Sequence, residues 1–367
     1  MRITRYLKPS LNWLLLFVPT SLFVRYGRDE PNEVFVFICA GLAIIPLAGI
    51  MGKATDALAT HFGQGIGGLL NASFGNAAEL IIALMALRRG LVHVVKASIT
   101  GSIIGNLLLV LGLSLLVGGV SRPLQKFNKT AVRSLMSSLA LAAVGLLTPT
   151  IFHITADNRP AGWDLKTERG LSVAIAAILF VTYLCSLFFS LKTHVNLFSG
   201  GDEDESSDEP KWSKTYSMAI LGGATVLVAW MSELLVGSVE AARQAFGFTE
   251  VFVGVIIVAI VGNAAEHSTA MLMAHRNKMD LALGIAIGSS QQVALFVAPI
   301  LVFASYAFGQ PITLEFSLPE VVAVLAAVYV VAEISGDGES NWLEGAQLVS
   351  VYLILVVLFY CLPEARP

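Results

Sequence analysis

Two glutamates, Glu79 and Glu266, each stand in the interior of a long apolar stretch, and each ends the same pentapeptide, GNAAE, at Gly75–Glu79 and Gly262–Glu266. An ionised side chain at the centre of a membrane-spanning helix costs about 2.5 to 3.5 kcal/mol even on the lenient insertion scale, so such residues are functional by default. The plain alternative is a pair of protonated packing residues, which a matched pair in a repeated motif argues against. Asn76 and Asn263 precede them by three residues, and positions i and i+3 share a helix face, so each segment offers a carboxylate and an amide oxygen in one direction. Gly75 and Gly262 stand where a helix can loosen and turn backbone carbonyls toward a cavity, or where two helices can pack closely. An all-oxygen donor set with two anionic members suits a hard cation. Ca²⁺ takes 6 to 8 oxygens in flexible geometry whereas Mg²⁺ demands a tight octahedron, so Ca²⁺ is favoured, with Mn²⁺ or Cd²⁺ also able to fit.

Further polar residues flank this pair. Ser102 and Asn106 follow the first motif, and Ser289, Ser290, Gln291 and Gln292 follow the second. A run of four polar residues inside an apolar window is expensive unless it faces protein or water, and it reads as support for the ligands or as helix-to-helix hydrogen bonding. His267 follows Glu266, rotated by about 100° around the helix, and is a candidate proton relay beside the two glutamates or a packing residue. Asp56, Glu233 and Glu240 are candidates for an acidic vestibule that gathers cations, with ordinary interfacial charge as the alternative. Two carboxylates facing each other in a cavity of reduced dielectric resist being charged together, so protons enter as Ca²⁺ leaves; if both glutamates load, two protons balance one Ca²⁺, with His267 or Glu233 as a candidate carrier of another.

The elements that hold these residues are membrane helices. The chain has 367 residues, 56% hydrophobic and only 13% charged, against about 25% charged in an ordinary globular domain. Spans of about 20 predominantly apolar residues occur in eleven windows: 11–27, 33–51, 66–88, 94–119, 130–151, 170–191, 216–238, 249–274, 279–307, 319–335 and 343–362. The predicted fold class is an all-α integral membrane protein of eleven transmembrane helices. Short loops leave no room for a soluble catalytic domain, so no enzyme is expected, and neither a cofactor nor a nucleic acid partner. The partners expected are Ca²⁺, protons and the lipid bilayer, with a homo-oligomer left open. Cys39, Cys185 and Cys361 lie in apolar windows without CxxC spacing, which argues against a disulfide framework or zinc. Arg2, Arg5 and Lys8 precede a first apolar stretch that lacks a small-residue cleavage pattern, which favours a retained helix over a secretory signal. Lysine and arginine favour cytoplasmic loops, and their weak bias places the N-terminus inside. Eleven crossings put the linker around Asp204 and the C-terminal Pro367 on opposite sides.

The two GNAAE copies are 187 positions apart, and at the same shift Gly101–Ser102 matches Gly288–Ser289. The copies fall in the third and eighth windows. Five crossings is an odd number, so the copies run in opposite directions, as in the inverted repeats of many secondary transporters. The expected organisation is an extra N-terminal helix over 1–27, a first five-helix repeat over 28–195, an acidic cytoplasmic linker over 196–214 and a second five-helix repeat over 215–367. The linker core, Gly200 to Pro210, reads as a solvated spacer or as a calcium-collecting or regulatory segment.

On GNAAE, GNAAEH (Gly262–His267), GSIIGN (Gly101–Asn106), GSSQQ (Gly288–Gln292) and the acidic linker, the chain resembles the cation/proton exchanger family of the calcium/cation antiporter superfamily. The resemblance covers essentially the whole chain. It implies eleven helices, exchange of cytosolic Ca²⁺ for protons by alternating access, and sliding of first-repeat helices against a core that holds the ion. Glu79 and Glu266 match the family's paired glutamates, and Asn76 and Asn263 its motif asparagines. Sodium/calcium exchangers of the superfamily carry Ser or Thr and Pro where this chain has Ala-Ala, which lowers a sodium-coupled or broader divalent-cation exchanger to second place. The lack of a long N-terminal tail like that of plant members points to a multi-pass protein of a prokaryotic inner (plasma) membrane. An intramembrane hydrolase, the rival of another class, lacks HExxH and a serine beside a base.

Overall fold

The structure, a computed structural model, describes residues 11–157, 164–195 and 212–363. The N-terminal basic residues Arg2, Arg5 and Lys8, the acidic run Gly200–Pro210 and Pro367 lie outside the described residues. A 3₁₀ turn, Leu11–Leu16, leads into α1 (Phe17–Tyr26), followed by α2 (Glu33–Phe74), α3 (Ala77–Arg88), α4 (Val92–Ile104), α5 (Leu111–Gly119), α6 (Lys129–Asp157) and α7 (Leu165–Phe188). The second half holds α8 (Lys214–Gly237), α9 (Val239–Phe246), α10 (Glu250–Phe252), α11 (Ala259–His275), α12 (Met279–Gln292), α13 (Ala298–Ala307), α14 (Leu318–Ile334) and α15 (Trp342–Cys361). Polar side chains start these helices where the sequence offers them. Asn32, Asp164, Ser213 and Thr249 accept from backbone amides of the first turn, and Ser317 with Glu320 and Asn341 with Glu344 form capping boxes. A two-residue antiparallel ribbon, Gln125–Lys126 against Glu339–Ser340, ties two loops together.

Among the described residues, eight helices are long and apolar enough to cross a membrane, including Glu33–Phe62, Val92–Gly119 and Met279–Ala307. The other three predicted windows fall on Leu11–Tyr26, on the interrupted stretch that ends at Arg88, and on Leu318–Ile334, which has 17 residues. The chain is thus a helical membrane protein. Two spans form its interior, since Val92–Gly119 is 83% buried and Met279–Ala307 72%, whereas Trp342–Cys361 is only 22% buried and offers its side chains outward.

The second and third windows are organised differently from the two separate helices expected. Backbone is helical throughout Glu33–Phe74, yet Gly67 abuts the Ala59 carbonyl and Asp56 hydrogen-bonds to Asn71. In a straight helix these pairs would lie about 12 and about 22 Å apart. The chain therefore doubles back between Ala59 and Gly67, within a glycine-rich stretch of the sequence. It breaks again at Gly75–Asn76, inside the third window, before α3 begins.

Among the described residues, four π-helical segments, with one extra residue per turn, interrupt or extend the helices: Gly105–Val110, Phe189–Thr193, Val253–Val258 and Val293–Val297. The tightest crossing joins α4 to Val253–Val258. A Cβ on Gly254 would stand 2.5 Å from the Ala97 Cβ and 2.8 Å from the Val94 carbonyl, and one on Gly101 would run into the Val255 backbone. Small residues let these backbones touch. Gly254→Leu is expected to lower stability by about 1–3 kcal/mol or more through overpacking, whereas Gly222→Ala, whose added methyl meets nothing within 4 Å, leaves it unchanged. Thermal unfolding of the purified variants in detergent checks the difference.

Candidate functional site

Breaking the helix at Gly75–Asn76 places Glu79 in the first turn of α3 and frees carbonyls at the end of α2 from intrahelical pairing. The second copy of the motif is built otherwise. Gly262 and Glu266 lie within the unbroken α11, and the irregularity comes before them, in the π segment Val253–Val258. Gly262 serves close approach, because a Cβ there would stand 3.0 Å from Glu79 Cγ. That contact brings the two motifs together. The Glu79 and Glu266 carboxylates are within electrostatic reach of each other, and Ser289 hydrogen-bonds to Glu266.

Amides from both halves lock the frame. Asn76 Nδ2 donates to Gln292 Oε1 (2.7 Å), Asn106 Nδ2 to Asn263 Oδ1 (2.9 Å), and Asn263 Nδ2 to Ser102 Oγ (2.9 Å) and the Ala259 carbonyl (2.8 Å). What this leaves unpaired is chemically uniform. Both oxygens of Glu79, Oε2 of Glu266, and Oδ1 of Asn76 and Asn106 are buried without a hydrogen-bond partner. A buried carboxylate without a donor is strongly unfavourable unless a proton or a cation accompanies it. Oxygens alone, two of the groups carboxylates, form the donor set of a hard cation. Symmetry in the sequence pointed to Asn76 and Asn263 as the paired amides. In the structure Asn263 hydrogen-bonds to Asn106 and Ser102, and the amide oxygens left without a partner are those of Asn76 and Asn106.

Glu79 and Glu266 line a cavity of about 1240 Å³ together with Gly75, Gly262, Ser289 and Gln292. It runs to Lys53, Asp56, Asn128, Trp212 and Asp280, residues at the ends of spans on one face of the bundle. Among the described residues, none that lines this cavity lies at the other face. Arg89 pairs with Glu233 at 2.5 Å, and Lys96 holds Thr313 (3.2 Å), the Glu315 carbonyl (2.5 Å) and the Glu315 carboxylate (3.1 Å).

The acidic vestibule read from Asp56, Glu233 and Glu240 is divided by this geometry. Asp56 lines the cavity and is held by Asn71. Glu233 is at the closed end of α8, taken up by Arg89, and Glu240 is on the surface helix α9. Hydrogen bonds from Arg243 and Gln244 hold the Glu240 carboxyl below the usual carboxylate range. The four-residue polar run divides as well. Ser289 and Gln292 reach the cavity, while Ser290 donates to the Ile103 carbonyl and Gln291 to Ser186 of α7, both fastening helices. His267 is not among the residues lining the cavity, and its Nε2 is buried without a partner. Asn71 was missed, although an amide four residues before Gly75 in an apolar window was a readable signal.

With the geometry in place, comparison with known proteins is decisive: residues 32–192 and 216–361 match the sodium/calcium exchanger protein family. The chain belongs to this family. It is 46% identical to the Ca(2+)/H(+) antiporter of Aphanothece halophytica, over 95% of this chain and 96% of that one. It is 45% identical to the Ca(2+)/H(+) antiporter ChaA of Bacillus subtilis (strain 168), over 94% and 97% of the two chains. The solved structure of native YfkE is similar with a TM-score of 0.82 at 40% identity, covering 96% of this chain and all of that one. The resemblance to cation/proton exchangers carried by the motifs therefore holds at the level of the family. The Gly262 contact yields a direct test within it. Gly262→Val should displace Glu79 and weaken Ca²⁺ binding by about tenfold or more, equivalent to about 1.4 kcal/mol, in a calorimetric titration. Gly284→Ala, which lines the same cavity but meets nothing within 4 Å, should bind as the parent does.

Proposed function

We propose that the chain is a secondary antiporter that exchanges Ca²⁺ for protons by alternating access, with Glu79 and Glu266 as the shared site. The observation that carries this reading is the pair of buried glutamates, Glu79 and Glu266, which line the large cavity with carboxylate oxygens that have no hydrogen-bond partner. Relatives named as Ca(2+)/H(+) antiporters support the same choice of ions. Ca²⁺ enters from the cavity, bridges the two carboxylates and displaces their protons; when it leaves, desolvation and mutual repulsion draw protons back. The loaded forms, one Ca²⁺ or two protons, carry the same net charge, so either can pass, while the empty doubly ionised form is held back. Asp56 and Asn71 at the cavity wall offer the arriving cation its first oxygens.

The supporting architecture is an extra N-terminal helix over 1–27, two inverted five-helix repeats over 28–195 and 215–367, and a cytoplasmic linker over 196–214, eleven crossings in all. The weak lysine and arginine bias puts the N-terminus and the open face of the cavity on the cytoplasmic side of the cell membrane. The arrangement described is then inward-facing, with Arg89–Glu233 and Lys96–Glu315 closing the outside. A sodium-coupled or broader divalent-cation exchanger is the alternative for a member of this family.

Proteoliposomes containing the purified chain should take up Ca²⁺ under an imposed pH gradient without sodium. Glu79→Gln and Glu266→Gln should each abolish uptake in a folded protein, since the amide keeps the shape and removes the charge, and Asp56→Asn should have a milder effect. Because protons compete for the site, Ca²⁺ affinity should fall as pH drops. Uptake that follows sodium and ignores pH would overturn the proposal.

A further inference from the structure

The cavity that reaches Glu79 and Glu266 is far larger than a metal ion needs. With its 6 to 8 oxygens at 2.3–2.6 Å, Ca²⁺ fills about 270 Å³, against a cavity of about 1240 Å³. Ordinary small-molecule sites enclose about 300–1,000 Å³. Much of the wall also differs from what a path for a hydrophilic ion requires. Ile50 of α2, Leu135 of α6, Leu187 and Leu191 where α7 runs into its π-helical end, and Leu281 and Ile285 of α12 all line it. These side chains offer a metal ion no oxygen.

The charge on the same wall is mostly of one sign. Asp56, Glu79, Glu266 and Asp280 line the cavity, and Lys53 is the single lysine or arginine among its described lining residues. Acidic groups set between low-dielectric walls focus a field that gathers cations. An aromatic residue, Trp212, stands at the mouth. It is fixed there by a hydrogen bond from His61 Nε2 to its carbonyl (2.8 Å) and by an edge-to-face contact with Tyr216. Indole is the strongest aromatic partner of a cation. A cavity that combines broad apolar walls, carboxylates and an indole suits a ligand of the same build, a bulky apolar cation whose spread charge loses little hydration on entry.

We propose that this cavity is a binding site for a lipophilic organic cation, which lodges between the mouth and the two glutamates and bars Ca²⁺ from them. The inference rests on the reading of Glu79 and Glu266 as the Ca²⁺ site. A ligand of this kind needs no coordinating oxygens, and its apolar groups cover the leucine and isoleucine wall that Ca²⁺ leaves bare. It goes no deeper, because the Gly262 backbone and Glu79 Cγ stand so close that even an added methyl would come within 3.0 Å. Each cation places positive charge where the other must sit, so each weakens the binding of the other by the same factor.

The probe is tetraphenylphosphonium, and its control is tetraphenylborate, of nearly the same shape and opposite charge. Equilibrium dialysis of the full chain in detergent, against detergent alone, measures the binding of each. Tetraphenylphosphonium should bind, and tetraphenylborate should bind at least about tenfold more weakly. Saturating Ca²⁺ should lower the affinity for tetraphenylphosphonium by about tenfold or more. Trp212→Ala should lower it by about fivefold, and Leu281→Asn, at a position already 47% exposed, by about threefold. Calorimetric Ca²⁺ binding should stay within about twofold of the parent in both variants, which shows that they fold. Absence of tetraphenylphosphonium binding, equal binding of tetraphenylborate, indifference to Ca²⁺, or unchanged affinity in both variants overturns the proposal. Failure of the unsubstituted chain to bind Ca²⁺ overturns the calcium reading instead, and with it the claim that the organic cation bars Ca²⁺; the tetraphenylborate comparison and the two variants then decide the site alone.

Discussion

Two carboxylates cannot both keep their charge in a water-poor helical interior unless a cation stands between them, and the rest of this molecule is arranged around that restriction. Repulsion and lost hydration act together on Glu79 and Glu266. Most buried polar groups in a folded protein are satisfied by neighbours. Here the neighbours satisfy one another instead: Asn263 binds Asn106 and Ser102, Asn76 binds Gln292, and both oxygens of Glu79 and Oε2 of Glu266 remain unpaired. The frame is thereby rigid without neutralising the site. In the proposed exchange, the neutralising charge comes from what is transported.

Local irregularity in the helices makes this frame possible. An uninterrupted helix saturates its own backbone and holds neighbours apart by its side chains. The break at Gly75–Asn76, the π segments around Asn106 and ahead of Gly262, and the bare backbones of Gly101, Gly254 and Gly262 let helices from the two halves touch. The same features divide the surroundings of Glu79 unequally, with a wide cavity on one side and room for one water on the other.

Much of this was legible in the sequence because charge in an apolar window is rare and a repeated pentapeptide rarer still. The glutamates, the motif glycines and the apolar character of the chain follow from composition and spacing alone, and the family follows from the motifs. The reversal between positions 59 and 67 was not legible, since a glycine-rich stretch reads equally as a loop or as a bent helix, and the backbone hydrogen bonds that decide are not encoded by periodicity. The hydrogen bonds that join Asn106 to Asn263 and Asn263 to Ser102 escaped for another reason: a matched pair of asparagines in the sequence does not say which amide reaches which partner. Glu233 looked like a site residue from its depth in α8. Its fate depends on Arg89, 144 positions away, at the closed end of the bundle.

The central claim is that Ca²⁺ and protons occupy the same pair of carboxylates in turn. Calorimetric titration of the purified chain with Ca²⁺, repeated in buffers of different ionisation enthalpy near neutral pH, counts the protons expelled for each Ca²⁺ bound. Release approaching two protons per Ca²⁺, reduced when either glutamate is replaced by glutamine, is the result expected. Heats of binding identical in every buffer, with Ca²⁺ bound and no proton released, would contradict the account.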